Sequence, residues 1–149
     1  MYKQIVIATD GSELAVRALD HGLALAKLVG AEVTIVHVSE PAAVYGAGYA
    51  TVAGTVFDPL PELMEAQQTA ARNVLQSASE RAEAAGVTVK TVHLDNTYAA
   101  EGIVETAAKV SADLIVMGSH GRRGLSRMLL GSQTSNVLTH TKTPVLVTR

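Results

Sequence analysis

Short apolar runs of strand character alternate along this chain with longer stretches carrying a helical stripe, and that alternation leaves few folds open. Ile5 to Ala8 is a continuous apolar run that stops at Thr9-Asp10-Gly11-Ser12, the pattern of a buried parallel strand leading into a turn. From Ser12 to Val29 the apolar residues Leu14, Ala15, Ala18, Leu19, Gly22, Leu23, Ala26 and Val29 share one helical face, and Gly30 is placed to end the helix. Glu32 to Val38 (EVTIVHV) reads as a second strand. The same rhythm continues to the end of the chain. A helix opened by Pro61 runs to Gly86, and Val87 to Leu94 is a strand whose Thr88 and Lys90 suit an edge. A helix over Tyr98 to Val110 is followed by the strongly apolar strand Asp113 to Met117. A last helix from about Ser132 to Thr141 precedes a final strand at Val145 to Val147. The order βαβαβαβαβ predicts a single α/β domain over residues 1–149, a parallel sheet with helices on both faces.

Ser39 to Leu60 breaks the rhythm. It holds Pro41, Gly46, Gly48, Gly54 and Pro59 with no sustained period, so a long loop is expected there, and the stretch from Tyr45 to Phe57 is read either as a flap over a site or as disordered.

Composition then removes several function classes. The chain has no cysteine, which excludes disulfides, thiolate catalysis and cysteine-ligated zinc. Its five histidines show no HxxxH or HExxH spacing, so no metal site is expected. A formal net charge of −2 gives no positive field for nucleic acid or an anionic membrane. No apolar run reaches the roughly 18 to 20 residues of a membrane span, and no signal peptide is read at Met1-Tyr2-Lys3-Gln4; a cytoplasmic location is expected.

The chemistry is concentrated after the strand Asp113 to Met117, in GSHGRRGLSRMLLGS from Gly118 to Ser132. Ligands of an open parallel sheet bind beyond the carboxyl ends of its strands, and this segment begins there. Gly118, Gly121 and Gly131 let the backbone approach a ligand and turn N–H groups toward anionic oxygens. Gly131-Ser132 also stands at a helix start, where free N–H groups and the helix dipole favour phosphate. The competing reading makes Gly118 a strand-end turn and Ser132 an N-cap.

These residues carry a resemblance. Gly118, Gly121, Gly131 and Ser132 match at every position the nucleotide pattern of the universal stress protein family: Gly, two residues, Gly, nine residues, Gly, then Ser or Thr. The opening IVIATDGSE, the strand DLIVMGS and the closing TPVLVTR are similar to the same family, so the resemblance spans the chain. It implies a Rossmann-like sheet of five parallel strands in the order 3-2-1-4-5, with ATP as ligand and Mg²⁺ or Mn²⁺ carried through the phosphates. It implies a nucleoside contact for Asp10, which otherwise reads as a helix cap, and apolar adenine neighbours in Val38 and Met117. His120 and Arg122 are candidates to offset phosphate charge. Where the family often places an apolar residue after Gly-Ser, this chain has Gln133-Thr134-Ser135; the backbone donors of these residues are independent of side chain, and Ser132 or Ser135 adds a hydroxyl.

The segment lacks the lysine of GxxxxGK[ST], and no carboxylate follows close by to hold magnesium or orient a water. The resemblance therefore implies a nucleotide-responsive regulator of stress tolerance with at most slow ATP hydrolysis. A phosphotransferase and a nucleotide-independent dimeric module are the alternatives. A homodimer through the last strand (Val145, Leu146, Val147) is implied by the resemblance and by the short apolar edge such a strand presents.

Overall fold

The computed structural model describes residues 1–41, 50–52, 55–57, 60–121 and 130–149. The chain runs β1 (Gln4–Ala8), α1 (Glu13–Val29), β2 (Glu32–Val38), β3 (Ala50–Val52), β4 (Thr55–Phe57), α2 (Leu60–Ala85), β5 (Val89–Leu94), α3 (Ala99–Lys109), β6 (Leu114–Gly118), α4 (Ser132–His140) and β7 (Val145–Thr148). Five of these strands form one parallel sheet in the order β5-β2-β1-β6-β7. Counting only its own strands, that is the order 3-2-1-4-5 that the resemblance implies. The strand succession reverses between β1 and β6, and the crevice of a doubly wound sheet opens at such a reversal.

Alternation along the strands decides which helix goes where. Ile5, Ile7, Val33, Ile35, Leu114 and Val116 point to one face and pack with Ala18, Leu19, Leu23 and Ala26 of α1 and with Ala78 and Ala82 of α2. Val6, Ala8, Val36, Ile115 and Met117 point to the other and meet Ala100, Ile103 and Ala107 of α3 and Val137 of α4. Each fully buried Ile or Leu contributes roughly 1.5–3 kcal/mol by leaving water, so these two layers dominate the stability. Small residues on the helices set the approach distance. A β-carbon at Gly22 would fall 2.6 Å from Ile7 Cδ1, so glycine there brings α1 onto the sheet.

The boundaries follow local chemistry. Ser12 Oγ accepts the Ala15 N–H at 3.3 Å and starts α1, and Gly30, at φ 72°, ends it in the left-handed conformation. The polar strand β5 lies at an edge, as its Thr and Lys pattern predicts; its opposite number, β7, is the other edge. One expectation is corrected. Within the stretch read as a long loop, Ala50–Val52 and Thr55–Phe57 pair as an antiparallel hairpin. Thr51, Val52, Thr55, Val56 and Phe57 are strand formers, but three-residue strands are too short to show a period. The remainder of the proposed flap lies outside the described residues. No helix among the described residues is long and apolar enough to cross a membrane.

Candidate functional site

At the carboxyl end of the sheet, the turn after β1 and the turn after β6 face each other. Asp10 Oδ1 accepts the Ser12 N–H at 3.0 Å, a local turn that holds the carboxylate in place. Its other oxygen points at the glycine segment: a β-carbon at Gly121 would fall 2.8 Å from Asp10 Oδ2. Any side chain at 121 would therefore collide with the carboxylate. Gly118 meets a different constraint, since a β-carbon there would lie 3.1 Å from the Leu14 carbonyl carbon and 3.3 Å from the Ala15 nitrogen. Those are backbone atoms of α1, so glycine is what lets the first turn of α1 sit against the end of β6.

The start of α4 is fastened to the same strand end. The Gly131 N–H donates to the Ser119 carbonyl at 2.7 Å, and the buried Thr134 hydroxyl lies 3.0 Å from the Gly118 carbonyl and 3.1 Å from that of Ser119. Gly131 is the N-cap residue of α4, with φ −69° and ψ 158°, and no side chain among the described residues caps the helix. The first N–H groups of a helix have no acceptor within it, so this start offers donors to an anion. His120 packs beside it. Its Cδ2 would be 3.4 Å from a β-carbon at Gly131, its Nδ1 is 3.2 Å from Ser119 Oγ, and its Nε2 is buried with no hydrogen-bond partner among the described residues.

Gln133, the second residue of α4, reaches away from the glycines. Its Oε1 accepts the Ala100 N–H at 3.1 Å, and its Nε2 donates to Glu40 Oε1 at 3.0 Å. Tyr98, the N-cap of α3, supplies no side-chain cap, so Gln133 caps α3 from a neighbouring helix.

Together these elements border an open crevice at the carboxyl end of the sheet. Among the described residues its lining is Ala8, Thr9 and Asp10, Ala15, Val36 and Val38, Ala99 and Ile103, Met117, Gly118, His120 and Gly121, and Gln133 and Thr134. Of the residues singled out from sequence, the structure thus brings Asp10, Val38, Met117, Gly118, His120, Gly121, Gln133 and Thr134 to one crevice. Gly131, Ser132 and Ser135 are at the start of α4, outside the lining set; Ser132 and Ser135 are exposed. Arg122 lies outside the described residues. Ser12, not Asp10, is the cap of α1, which leaves Asp10 facing the glycines.

Sequence reasoning missed Ala8, Thr9, Ala15, Val36, Ala99 and Ile103 as lining residues. Val36 and Ile103 are buried apolar residues that look like core in any sequence, while Thr9 and Ala99 carry a usable signal, standing at a strand end and a helix start on the ligand side of the sheet. No group of three or more His, Asp or Glu side chains able to hold a metal exists among the described residues.

A doubly wound sheet with a glycine-edged crevice at its reversal point defines a class of α/β ligand-binding domains. Comparison with known proteins makes the assignment specific. The family model described as "Universal stress protein family" matches residues 1–149, and the chain belongs to that family. Universal stress protein MJ0531 of Methanocaldococcus jannaschii is 37% identical over 149 residues, covering 100% of this chain and 83% of that protein. The solved structure of MJ0577, from the same organism, superposes with a TM-score of 0.81 at 32% identity, covering 99% of this chain and 96% of the other. A universal stress protein solved in complex with cAMP gives a TM-score of 0.68 at 29% identity, with 99% and 97% covered.

Proposed function

We propose that this protein binds ATP in the crevice between β1 and β6 and acts as a nucleotide-responsive regulator of stress tolerance in the cytoplasm. The observation that carries the reading is the start of α4, which has no side-chain cap, is clamped to the end of β6 and adjoins a crevice containing Asp10, Gly118 and Gly121. A polyphosphate satisfies the donors of that start, and Asp10 accepts from a ribose hydroxyl. The cAMP complex of a relative supports an adenine nucleotide as the ligand class. Mg²⁺ or Mn²⁺ would be carried by the phosphates. Without a phosphate-loop lysine the chain's own residues grip the nucleotide and orient it; rapid cleavage has no group assigned to it.

Calorimetric titration with ATP, ADP, AMP and cAMP tests this reading, together with steady-state ATP turnover. Binding of ATP with turnover far below the roughly 1–100 s⁻¹ of kinases is expected. Absence of heat with every nucleotide at millimolar concentration would leave a nucleotide-independent module, and kinase-like turnover would make the protein an enzyme. The homodimer is proposed through β7, an edge strand whose Leu146 is 38% exposed. Leu146→Lys should yield monomers by light scattering, and an unchanged mass rejects that interface.

A further inference from the structure

Two neighbouring side chains fasten the first turn of α4 to the elements around the crevice. On the β6 side the Thr134 hydroxyl reaches the carbonyls of Gly118 and Ser119. On the side of α3 and β2 the fastening is Gln133, whose Oε1 accepts the Ala100 N–H at 3.1 Å and whose Nε2 donates to Glu40 Oε1 at 3.0 Å. Ala100 lies in the first turn of α3, and Glu40 stands two residues beyond the end of β2. The same two elements supply apolar lining, Ala99 and Ile103 from α3 and Val36 and Val38 from β2.

This pair of bonds demands an amide. A backbone N–H only donates and a carboxylate only accepts, so a side chain placed between Ala100 and Glu40 has to accept at one atom and donate at another. A glutamate at 133 would set its carboxylate against that of Glu40, and an apolar residue would make neither bond. The bond to the partly buried Glu40 carboxylate is charge-assisted, and so the stronger of the two. Glu40 is anchored in turn. Gln67 of α2 donates to its carbonyl at 3.2 Å, while Ser39 beside it donates its N–H to the Leu94 carbonyl and accepts the Thr97 N–H. Gln133 therefore ties the start of α4, where phosphate is proposed to bind, to a braced part of the chain.

We propose that Gln133 is a positioning residue of the site, fixing the start of α3 and the chain leaving β2 against α4 before a ligand arrives. The inference rests on the nucleotide reading above, and the test separates the two. The whole chain is titrated calorimetrically with ATP. Without the amide, binding has to order these walls itself, so Gln133→Met should bind ATP about tenfold more weakly than the wild type. Gln133→Glu keeps an acceptor for Ala100 but opposes two carboxylates. Combined with Glu40→Gln, it regains both bonds with the roles exchanged, the amide at 40 donating to the carboxylate at 133. Gln133→Glu should therefore weaken ATP binding about tenfold more in the wild-type background than in the Glu40→Gln background. Should Gln133→Met fail to fold for want of the α3 cap, the two backgrounds decide alone. A Gln133→Met protein that melts lower yet binds ATP as the wild type does, or a Gln133→Glu effect equal in both backgrounds, overturns the positioning role while leaving the nucleotide site standing. Absence of ATP binding by the wild type removes the nucleotide reading, and this inference with it.

Discussion

Of the helices that begin at the carboxyl end of this sheet, α1 and α4 begin differently. At α1 the Ser12 hydroxyl takes the Ala15 N–H and Asp10 takes the Ser12 N–H, so side chains answer the first donors. At α4 the N-cap is Gly131, and no side chain among the described residues answers them. Both starts lie against the end of β6, one through Gly118 and the other through Ser119. The contrast teaches that a helix start near a crevice is not by itself a ligand site. What marks α4 is the missing side-chain cap at a position where Ser, Thr, Asp or Asn adds roughly a few tenths of a kcal/mol over glycine. The chain forgoes that stabilisation at α4 and keeps it at α1.

Substitutions can erase the difference from either side. The largest effect is expected from Gly118→Ala, whose β-carbon presses on Leu14 and Ala15 backbone that cannot yield easily. It should lower stability by about 2–3 kcal/mol in urea denaturation and drive the capped start of α1 off the strand end. Next, Gly131→Asp gives α4 the cap it lacks and sets a carboxylate where phosphate is proposed to bind. ATP affinity should fall roughly 30-fold, about 2 kcal/mol, by calorimetry, and the melting temperature should fall as well, because a β-carbon at 131 lies 3.1 Å from the Ser119 carbonyl oxygen. Unaltered affinity would show that the open start is not the phosphate site. Ser12→Ala should cost about 1 kcal/mol of stability yet leave ATP affinity unchanged, because α1 is closed to ligand in the native protein.

The smallest effect comes from the opposite end of the sheet and serves as a control on the comparison. The exposed Glu32 carboxyl lies below its usual 4.5, held down first by the hydrogen bond from the Gln4 amide and then by Lys90. A lowered folded-state value means that these bonds stabilise the protein above about pH 4.5 and that the contribution disappears as pH falls through the lower value. Glu32→Gln should slightly flatten the acid limb of stability, read as the urea midpoint between about pH 6 and pH 3, with no change in nucleotide affinity at neutral pH.

Much of this was legible in the sequence, for reasons that differ by element. The central strands were plain because both faces are covered, so Ile5 to Ala8 and Leu114 to Met117 read as unbroken apolar runs. Strand order is a non-local property, and it came from the family resemblance, with only the polar β5 pointing to an edge on its own. The hairpin of β3 and β4 escaped because each strand is too short to carry a period. Asp10 and Ser12 competed for one capping role until the fold gave the cap to Ser12 and the crevice to Asp10. Gln133 could be placed near the site but not understood, since its partners are Ala100 and Glu40, 33 and 93 positions away along the chain. Local patterns predict elements well; the side chains that join elements are set by tertiary packing.

The bridge from the Thr134 hydroxyl to the Gly118 and Ser119 carbonyls has a consequence for how a ligand arrives. It makes the start of α4 continuous with the sheet before anything binds, so an anion bound as proposed would find its donors already aligned and lose little conformational entropy in engaging them. On the proposed reading that end of the crevice is a preorganised receptor, and any slow rearrangement that follows nucleotide arrival would have to originate elsewhere in the chain.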